Sequence, residues 1–172
     1  MTPSGSTRSL QTDAREATGC AGKPGEPSGG LASDAAGPRV LMVGAAESAP
    51  HLHFDHCGGN RLFPGIPIRV QRREREAACE PGYTIPEWVE FPGARYVELE
   101  GEEEIVPGVR VLPTPGHTPG HQSVLVDTDD GLVVVAGDVA YRWEDFDAAA
   151  GRLLGLGARR LWLAHETAPR DR

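Results

Sequence analysis

Six residues, His51 to His56, constrain this chain more than any other stretch of its 172 residues. They read HLHFDH, so four side chains able to bind a metal fall at positions i, i+2, i+4 and i+5. In extended backbone, residues i and i+2 point to the same side, which lets His51 and His53 bind one ion together. A turn after Phe54 would redirect Asp55 and His56 towards a second ion. Imidazole nitrogen and carboxylate oxygen are ligands for Zn²⁺ and similar divalent metals.

The remaining histidines lie in two further segments, each at the end of an apolar run. The chain has six histidines; His117 and His121 belong to PGHTPGH, and His165 ends LWLAH. A set of unrelated surface histidines would not concentrate in three segments. The alternative, a histidine-rich surface loop that binds metal weakly or not at all, is therefore disfavoured.

The segments HLHFDHCGGN, TPGHTPGHQS, GDVAY and LWLAH resemble the metallo-β-lactamase superfamily of dinuclear metallohydrolases, and most closely its N-acyl-homoserine lactonase-like branch. The resemblance covers roughly residues 51–166. It implies an α/β fold, an αββα sandwich made of two similar halves. It also implies an enzyme, a metal-dependent hydrolase that uses a metal-bridging hydroxide to open a lactone or ester.

The resemblance further implies that seven side chains hold two divalent metal ions, and all seven positions carry the matching residue type. They are His51, His53 and His117 for one metal, Asp55, His56 and His165 for the other, and Asp138 as the bridge between them. We expect Zn²⁺, with Fe, Mn or Co as alternatives, because His/Asp sites accept several metals according to supply. Asp55, Asp138 and Tyr141 are the expected catalytic residues, with Tyr141 donating to the substrate carbonyl or the leaving alkoxide.

Several neighbours of these ligands keep two interpretations. Tyr141 could instead pack on the sheet edge. His121, the sixth histidine, is expected to brace its loop rather than bind metal. Cys57 is expected to fill space behind the site, with a ligand role as the alternative. Thr118 either orients the His117 loop or has a purely structural role in the turn.

Composition excludes some partners. The formal net charge is −8 and the pI is about 5.2, which argues against nucleic acid, since phosphate binding needs a basic face. No apolar run approaches the length of a membrane span, and the N-terminus lacks a signal-peptide core. Cys20, Cys57 and Cys79 are odd in number and irregularly spaced, which does not suggest a disulfide framework. We therefore predict a cytoplasmic protein; the substrate that the family resemblance implies is a small-molecule lactone or ester.

The N-terminal part departs from the family pattern. Residues 1–38 are rich in Gly, Ser, Ala, Thr and Pro, which predicts a disordered, low-complexity segment before a hydrolase domain at 39–172. Only one plausible strand, Arg39–Gly44, precedes the first motif, so the predicted sandwich is incomplete at its N-terminal half. A truncated or rearranged gene, or a mispredicted start, would explain this. We expect the isolated chain to fold poorly unless a partner or a homodimer covers the open sheet.

Downstream, hydrophobic periodicity and turn residues predict a regular series of elements. The strands are Ile66–Val70, Arg95–Leu99, Val109–Leu112, a hairpin of Ser123–Asp127 with Leu132–Ala136, and Arg160–Ala164; the helices are Gln71–Cys79 and Asp145–Leu156. The charges of the first helix are predicted to form a solvated face. Glu80–Ala94 is predicted to be an irregular loop whose aromatic residues either form a pocket wall or plug the core. Glu100–Glu104 is predicted to be a solvated turn.

Three functions are compatible with this sequence. Lactone opening is the first choice. Thioester hydrolysis, as in glyoxalase II-like members, would use the same metal set. A truncated remnant that binds metal without catalysis is the alternative from another class. It is suggested by the incomplete N-terminal half and by the short distance of 27 positions from Asp138 to His165.

Overall fold

Residues 47–171 are described by the structure, a computed structural model. The predicted low-complexity segment 1–38 and the predicted strand Arg39–Gly44 lie outside these residues. Among the residues described, no helix is both long and apolar enough to cross a membrane.

Two sheets contain the nine strands found within residues 47–171. The first sheet is parallel and has the order β1 (Glu47–Ser48), β2 (Pro67–Gln71), β3 (Arg95–Leu99). The second has the order β4 (Glu103–Val106), β5 (Val109–Pro113), β6 (Gln122–Thr128), β7 (Gly131–Gly137), β8 (Arg160–Leu163), β9 (Arg170–Asp171). Its strands pair antiparallel except β7 and β8, which run parallel.

Short helices connect the strands. They are α1 (Phe54–Cys57), α2 (Arg72–Ala78), α3 (Pro86–Val89) and α4 (Trp143–Ala149), with 3₁₀ helices at Asn60–Leu62 and Gly151–Leu156. The predicted helix Asp145–Leu156 is therefore two pieces. Gly151 separates them because its φ of +46° is incompatible with a continuing right-handed helix.

The second sheet is buried on both faces. Val124 and Leu125 are adjacent in β6 and both are buried, but they belong to different apolar clusters, because successive side chains of a strand point to opposite faces. Val124 packs with Leu99 of the first sheet. Leu125 shares its cluster with Phe146 of α4 and with Leu153.

The first sheet carries its own outer helical layer. Ile68 and Val70 of β2 cluster with Leu52, Cys57 and Val89, which lie in or beside α1 and α3. The layers thus follow the order helix, sheet, sheet, helix, which confirms the predicted αββα sandwich.

Most predicted strands and the predicted hairpin are confirmed within a residue or two. The acidic run Glu100–Glu104 differs, because Glu103 and Glu104 belong to β4, although both side chains are exposed as predicted. Cys57 is free and buried. Cys79 is disulfide-bonded, although the odd number and irregular spacing of the cysteines did not suggest a disulfide framework.

Candidate metal centre

The first motif changes conformation at the position that the ligand pattern requires. His53 is extended, with φ −64° and ψ 154°, and helix α1 begins at the next residue, Phe54. The rings of His51 and His53 therefore approach each other, 4.7 Å apart and nearly perpendicular. Asp55 and His56 lie inside this helical turn, and the ring of His56 lies 4.2 Å from the ring of His51.

Three histidine nitrogens converge between the first motif and the loop after β5. Nδ1 of His53 lies 3.1 Å from Nε2 of His117, and that atom lies 3.2 Å from Nε2 of His51. Two nitrogens bound to one tetrahedral ion at the usual Zn–N length are separated by about 3.3 Å. The spacing of this histidine trio therefore fits a single metal ion.

A second group of ligand atoms lies beside the histidine trio. Nε2 of His56 is 3.5 Å from Oδ2 of Asp55, and Nε2 of His165 is 3.9 Å from the same oxygen. His165 follows β8, so the parallel pairing of β8 with β7 brings the last motif to this edge of the sheet.

Asp138 lies between the two groups. Its Oδ2 atom is 3.3 Å from Nε2 of His56 and of His165, 3.5 Å from that of His117, and 3.8 Å from that of His51. Its Oδ1 atom is buried and has no hydrogen-bond partner among residues 47–171. A buried oxygen without a partner is costly, and a cation bound here would remove that cost.

The protonation states favour metal binding. Burial lowers the pKa of His51 and of His117 from the usual 6.5. Burial would raise the pKa of Asp138, but the hydrogen bond and charge of His56 outweigh it and hold this pKa below its usual value. Burial also opposes protonation of His56, yet Asp138 raises the pKa of that imidazole. Metals bind the neutral imidazole and the ionised carboxylate, so the shifts at His51, His117 and Asp138 favour metal binding, whereas His56 would have to release its proton.

His121 does not join the ligand cluster. It is fully buried; its Nδ1 donates to the carbonyl oxygen of Thr114 at 3.1 Å, and its Nε2 accepts from the backbone N–H of Asp138 at 3.0 Å. The expected bracing role is therefore realised, and the braced residue is Asp138. Gly137 permits this contact, because a Cβ there would lie 2.8 Å from the Nε2 atom of His121.

Tyr141 faces the ligand cluster instead of packing on the sheet edge. Its hydroxyl lies 3.4 Å from Nδ1 of His117, and its ring centroid lies 5.1 Å from that of His165. The side chain is 53% exposed, so its hydroxyl can meet a molecule from solvent. Partial burial and the charges of Asp138 and Asp55 raise the pKa of Tyr141, which keeps it a hydrogen-bond donor.

A cleft of about 450 Å³ opens onto the ligand atoms. Its walls combine predicted ligands with residues of the loop after α2: His53, Phe54, Asp55, Gly82, Tyr83, Thr84, Ile85, His117, Asp138, Tyr141 and His165. A cavity of about 510 Å³ elsewhere is lined by Arg72, Glu100 and Pro115 and contains none of the seven predicted ligands. The cleft is therefore the candidate substrate site.

The aromatic residues of the loop Glu80–Ala94 take both predicted roles, as a pocket wall and as part of the core. Tyr83 lines the cleft, whereas Phe91 is buried in the core of the first sheet. Helix α3 replaces part of the predicted irregular backbone.

Sequence reasoning missed Glu74. The predicted solvated face of α2 is wrong here, because Glu74 is fully buried and Arg75 is 8% exposed. The Glu74 carboxylate accepts hydrogen bonds from the backbone N–H of Leu52 and from the hydroxyls of Thr118 and Tyr83. Helical periodicity gave a signal, because Glu74 precedes the apolar Ala77 and Ala78 by three and four residues and shares their face.

Known proteins resemble this chain over the same region. The N-acyl homoserine lactonase of Bacillus cereus is 48% identical over 98 residues, which cover 56% of this chain and 39% of that protein. The N-acyl homoserine lactonase AttM of Rhizobium radiobacter is 34% identical over 110 residues, covering 55% and 42%. The chain thus matches less than half the length of these curated relatives.

Solved structures share the fold. An N-acyl homoserine lactone hydrolase, with the product N-hexanoyl-L-homoserine bound at its catalytic metal centre, aligns with a TM-score of 0.58 and 38% identity over 63% of this chain and 49% of that one. A putative metallo-β-lactamase from Thermotoga maritima gives the same TM-score at 25% identity, over 73% and 68%. A sequence profile of the metallo-beta-lactamase superfamily matches residues 51–165. With that match over more than half of its length, the chain belongs to the metallo-β-lactamase superfamily.

Proposed function

We propose that this chain is a dinuclear metal-dependent hydrolase that opens the ring of an N-acyl-homoserine lactone. The observation that carries the proposal is the position of Asp138. One of its carboxylate oxygens lies within 3.3–3.8 Å of four histidine nitrogens that come from three separate segments of the chain. Such a carboxylate suits a bridge between two cations, which repel each other strongly when nothing negative lies between them.

The proposal assigns seven ligands to two ions. They are His51, His53 and His117 for the first site, Asp55, His56 and His165 for the second, and Asp138 for both. Zn²⁺ is the proposed metal, because nitrogen and carboxylate donors at tetrahedral spacing suit it, and Fe, Mn or Co would use the same donors. When bound, the pair would activate a water molecule and polarise the scissile carbonyl.

Tyr141 supplies the proton-donating group on the open side of the cleft. Ring opening adds water across one bond: the carbonyl carbon gains oxygen, the ring C–O bond breaks, and the departing ring oxygen takes a proton. The Tyr141 hydroxyl borders both His117 and the cleft, so it can donate a hydrogen bond to the carbonyl oxygen or to the departing oxygen. Phe54, which is 55% exposed, and Ile85 offer apolar surface in the same cleft for an acyl chain.

The names of the relatives support the choice of a lactone substrate. Two are named N-acyl homoserine lactonases, and one structure holds the opened product, N-hexanoyl-L-homoserine. A thioester hydrolase of the glyoxalase II type would need the same seven ligands, so the metal centre alone does not separate the two substrates. We assign the activity to residues 39–172 and leave the low-complexity segment 1–38 outside the catalytic domain.

The test is a metal count followed by two assays. The purified full chain should contain about two divalent ions and should open N-hexanoyl-homoserine lactone faster than it cleaves a thioester. His117→Ala and Asp138→Asn should abolish lactone opening. Asp145→Asn, the same change at an exposed position of α4, should leave it unaffected. A chain without stoichiometric metal would contradict the proposal, metal binding without hydrolysis of either substrate would favour a non-catalytic metal-binding remnant, and preferred thioester cleavage would favour the glyoxalase II-type function.

A further inference from the structure

Glu74 is a fully buried carboxylate, and its hydrogen-bond partners within residues 47–171 come from three separate segments. The backbone N–H of Leu52 donates to Oε1 at 2.7 Å, and the hydroxyl of Thr118 donates to Oε2 at 2.7 Å. The hydroxyl of Tyr83 also donates to Oε1. An ionised carboxylate only accepts hydrogen bonds, which suits a group surrounded by three donors.

Each of these partners adjoins a ligand of the first metal site. Leu52 lies between His51 and His53 in the chain, and Thr118 follows His117. The ring of Tyr83 packs on the ring of His53, with centroids 4.7 Å apart. One carboxylate thus fixes the surroundings of all three histidines.

The close approach of the second ligand loop to α2 supports the same relationship. A Cβ at Gly120 would lie 2.2 Å from the backbone nitrogen of Glu74 and 2.5 Å from its Cβ. The loop after β5 therefore rests directly on the helix at Glu74, and only glycine at this position permits the contact. The hydrogen bond from Thr118 to Glu74 is formed at the same contact.

The second metal site does not share this support. Within residues 47–171, the hydrogen bonds of Glu74 go to Leu52, Tyr83 and Thr118, and none of these adjoins Asp55, His56 or His165 in sequence. Helix α1 positions Asp55 and His56, and the end of β8 positions His165.

We propose that Glu74 is a positioning residue that aligns His51, His53 and His117, and so sets the affinity of the first metal site selectively. The inference rests on the dinuclear centre of the proposed function, and it adds that Glu74 supports only the first of the two metal sites. Outer residues that orient metal ligands typically change metal affinity by about 10- to 100-fold. A carboxylate that merely stabilised the fold would affect both sites alike or neither.

Glu74→Gln is the informative variant because it preserves size and removes acceptor capacity. A glutamine has one carbonyl oxygen and an NH₂ group, so it cannot accept from Leu52, Thr118 and Tyr83 together. The matched control is Glu76→Gln, an exposed position two residues along the same helix. Thr118→Val and Thr118→Ser form a second pair, because only serine keeps the hydroxyl that donates to Glu74.

The experiment titrates the metal-free full chain with Zn²⁺ against a chromophoric chelator, and with Co²⁺ to record the electronic spectrum of each site. We expect Glu74→Gln to lower the affinity for one of the two ions by about 10- to 100-fold and to leave the affinity for the other nearly unchanged. In a His165→Ala background, which lacks a ligand of the second site, the remaining ion should be the one that Glu74→Gln weakens. Thr118→Val should lower the affinity for the same ion. The Thr118→Ser and Glu76→Gln variants should bind both ions as tightly as the wild type does.

Different results overturn different claims. A wild-type chain that binds no metal would overturn the proposed function and this inference together. A wild type with two ions and a Glu74→Gln variant with unchanged affinities would overturn this inference alone, as would equal weakening of both ions. If Glu74→Gln does not fold, the Thr118 pair decides, and equal affinities of its valine and serine forms would refute the selective role.

Discussion

Nε2 of the His121 ring accepts the backbone N–H of Asp138 at 3.0 Å. Nδ1 of the same ring donates to the carbonyl oxygen of Thr114 at 3.1 Å. One accepting and one donating nitrogen define the neutral imidazole with its proton on Nδ1. A protonated ring would turn a second donor towards the Asp138 N–H, so the contact itself disfavours the charged form. Burial lowers the pKa of His121 from 6.5 to about 4.

The metal-free protein should therefore lose stability as the pH falls from about 6.5 towards 4. The unfolded chain binds a proton at His121 below pH 6.5, whereas the folded chain does not until about pH 4, so the free energy of unfolding decreases through this window. The shift corresponds to about 3 kcal/mol, as an order of magnitude. Burial lowers the pKa of His51 and His117, which adds to the loss, while the raised pKa of His56 opposes it.

Chemical denaturation of the chelator-treated chain at several pH values measures this effect. His121→Gln keeps an oxygen that can accept from Asp138 and removes the titration. Its free energy of unfolding should depend less steeply on pH than that of the wild type. Equal slopes would show that His121 does not contribute as described.

Tyr141→Phe should slow lactone opening by about 100- to 1,000-fold while leaving the metal content unchanged. The change removes one hydroxyl that lies 3.4 Å from Nδ1 of His117 but is not one of the seven proposed ligands. Steady-state kinetics and a metal count on the same sample measure both quantities. Tyr96→Phe is a suitable control, because the Tyr96 hydroxyl donates to the carbonyl of Val89, away from the cleft. Lost metal in Tyr141→Phe would instead assign Tyr141 a structural role.

Asp138→Asn and His165→Ala should differ in how many ions they release. Asp138 approaches nitrogens of both sites, so the asparagine variant should lower the affinity for both ions. The side chain of His165 is 41% exposed, and its Nε2 atom lies near Asp55, a proposed ligand of the second site, and near the bridging Asp138. Its alanine variant should therefore retain about one ion per chain, counted by elemental analysis. Retention of both ions by the asparagine variant would contradict a bridging role.

Much of the candidate site could be predicted because its proposed ligands are grouped in the sequence. His51 and His53 need only extended backbone, and the turn at Phe54 needs only local geometry. The convergence of His117, Asp138 and His165 was expected from the family resemblance. It also agreed with their positions, because each residue ends or follows a predicted strand. Strand positions were predictable because both faces of the second sheet are buried, which requires apolar runs.

Residues whose role depends on a distant partner were not predicted. Glu74 lies in the charged run RRERE, and its burial depends on Leu52, Tyr83 and Thr118 supplying three donors. Local sequence gives no count of such donors, so a charged residue is assigned to solvent by default. The break in the helix at Gly151 was also missed. The apolar periodicity of the sequence continues through Gly151, whereas the helical backbone does not.

Gly120→Ala should destabilise the chain more than a typical overpacking substitution. A Cβ at this position would meet three atoms of Glu74 at 2.2–2.6 Å, two of them in the backbone, so no side-chain rotation can relieve the clash. Overpacking usually costs about 1–3 kcal/mol, and a backbone clash should reach or exceed the upper end of that range. Separation of the loop from α2 would also break the Thr118–Glu74 hydrogen bond and displace His117.

The matched control is Gly155→Ala, because a Cβ at Gly155 would meet no atom within 4 Å. Chemical denaturation of both variants in the presence of chelator measures the free energy of unfolding without a contribution from bound metal. Zn²⁺ titration then measures the effect on the first site. We expect Gly155→Ala to match the wild type in both measurements and Gly120→Ala to be reduced in both. A Gly120→Ala chain as stable as the control would mean that the loop does not rest on α2 at Glu74, and the shared support of His51, His53 and His117 would lose its structural basis.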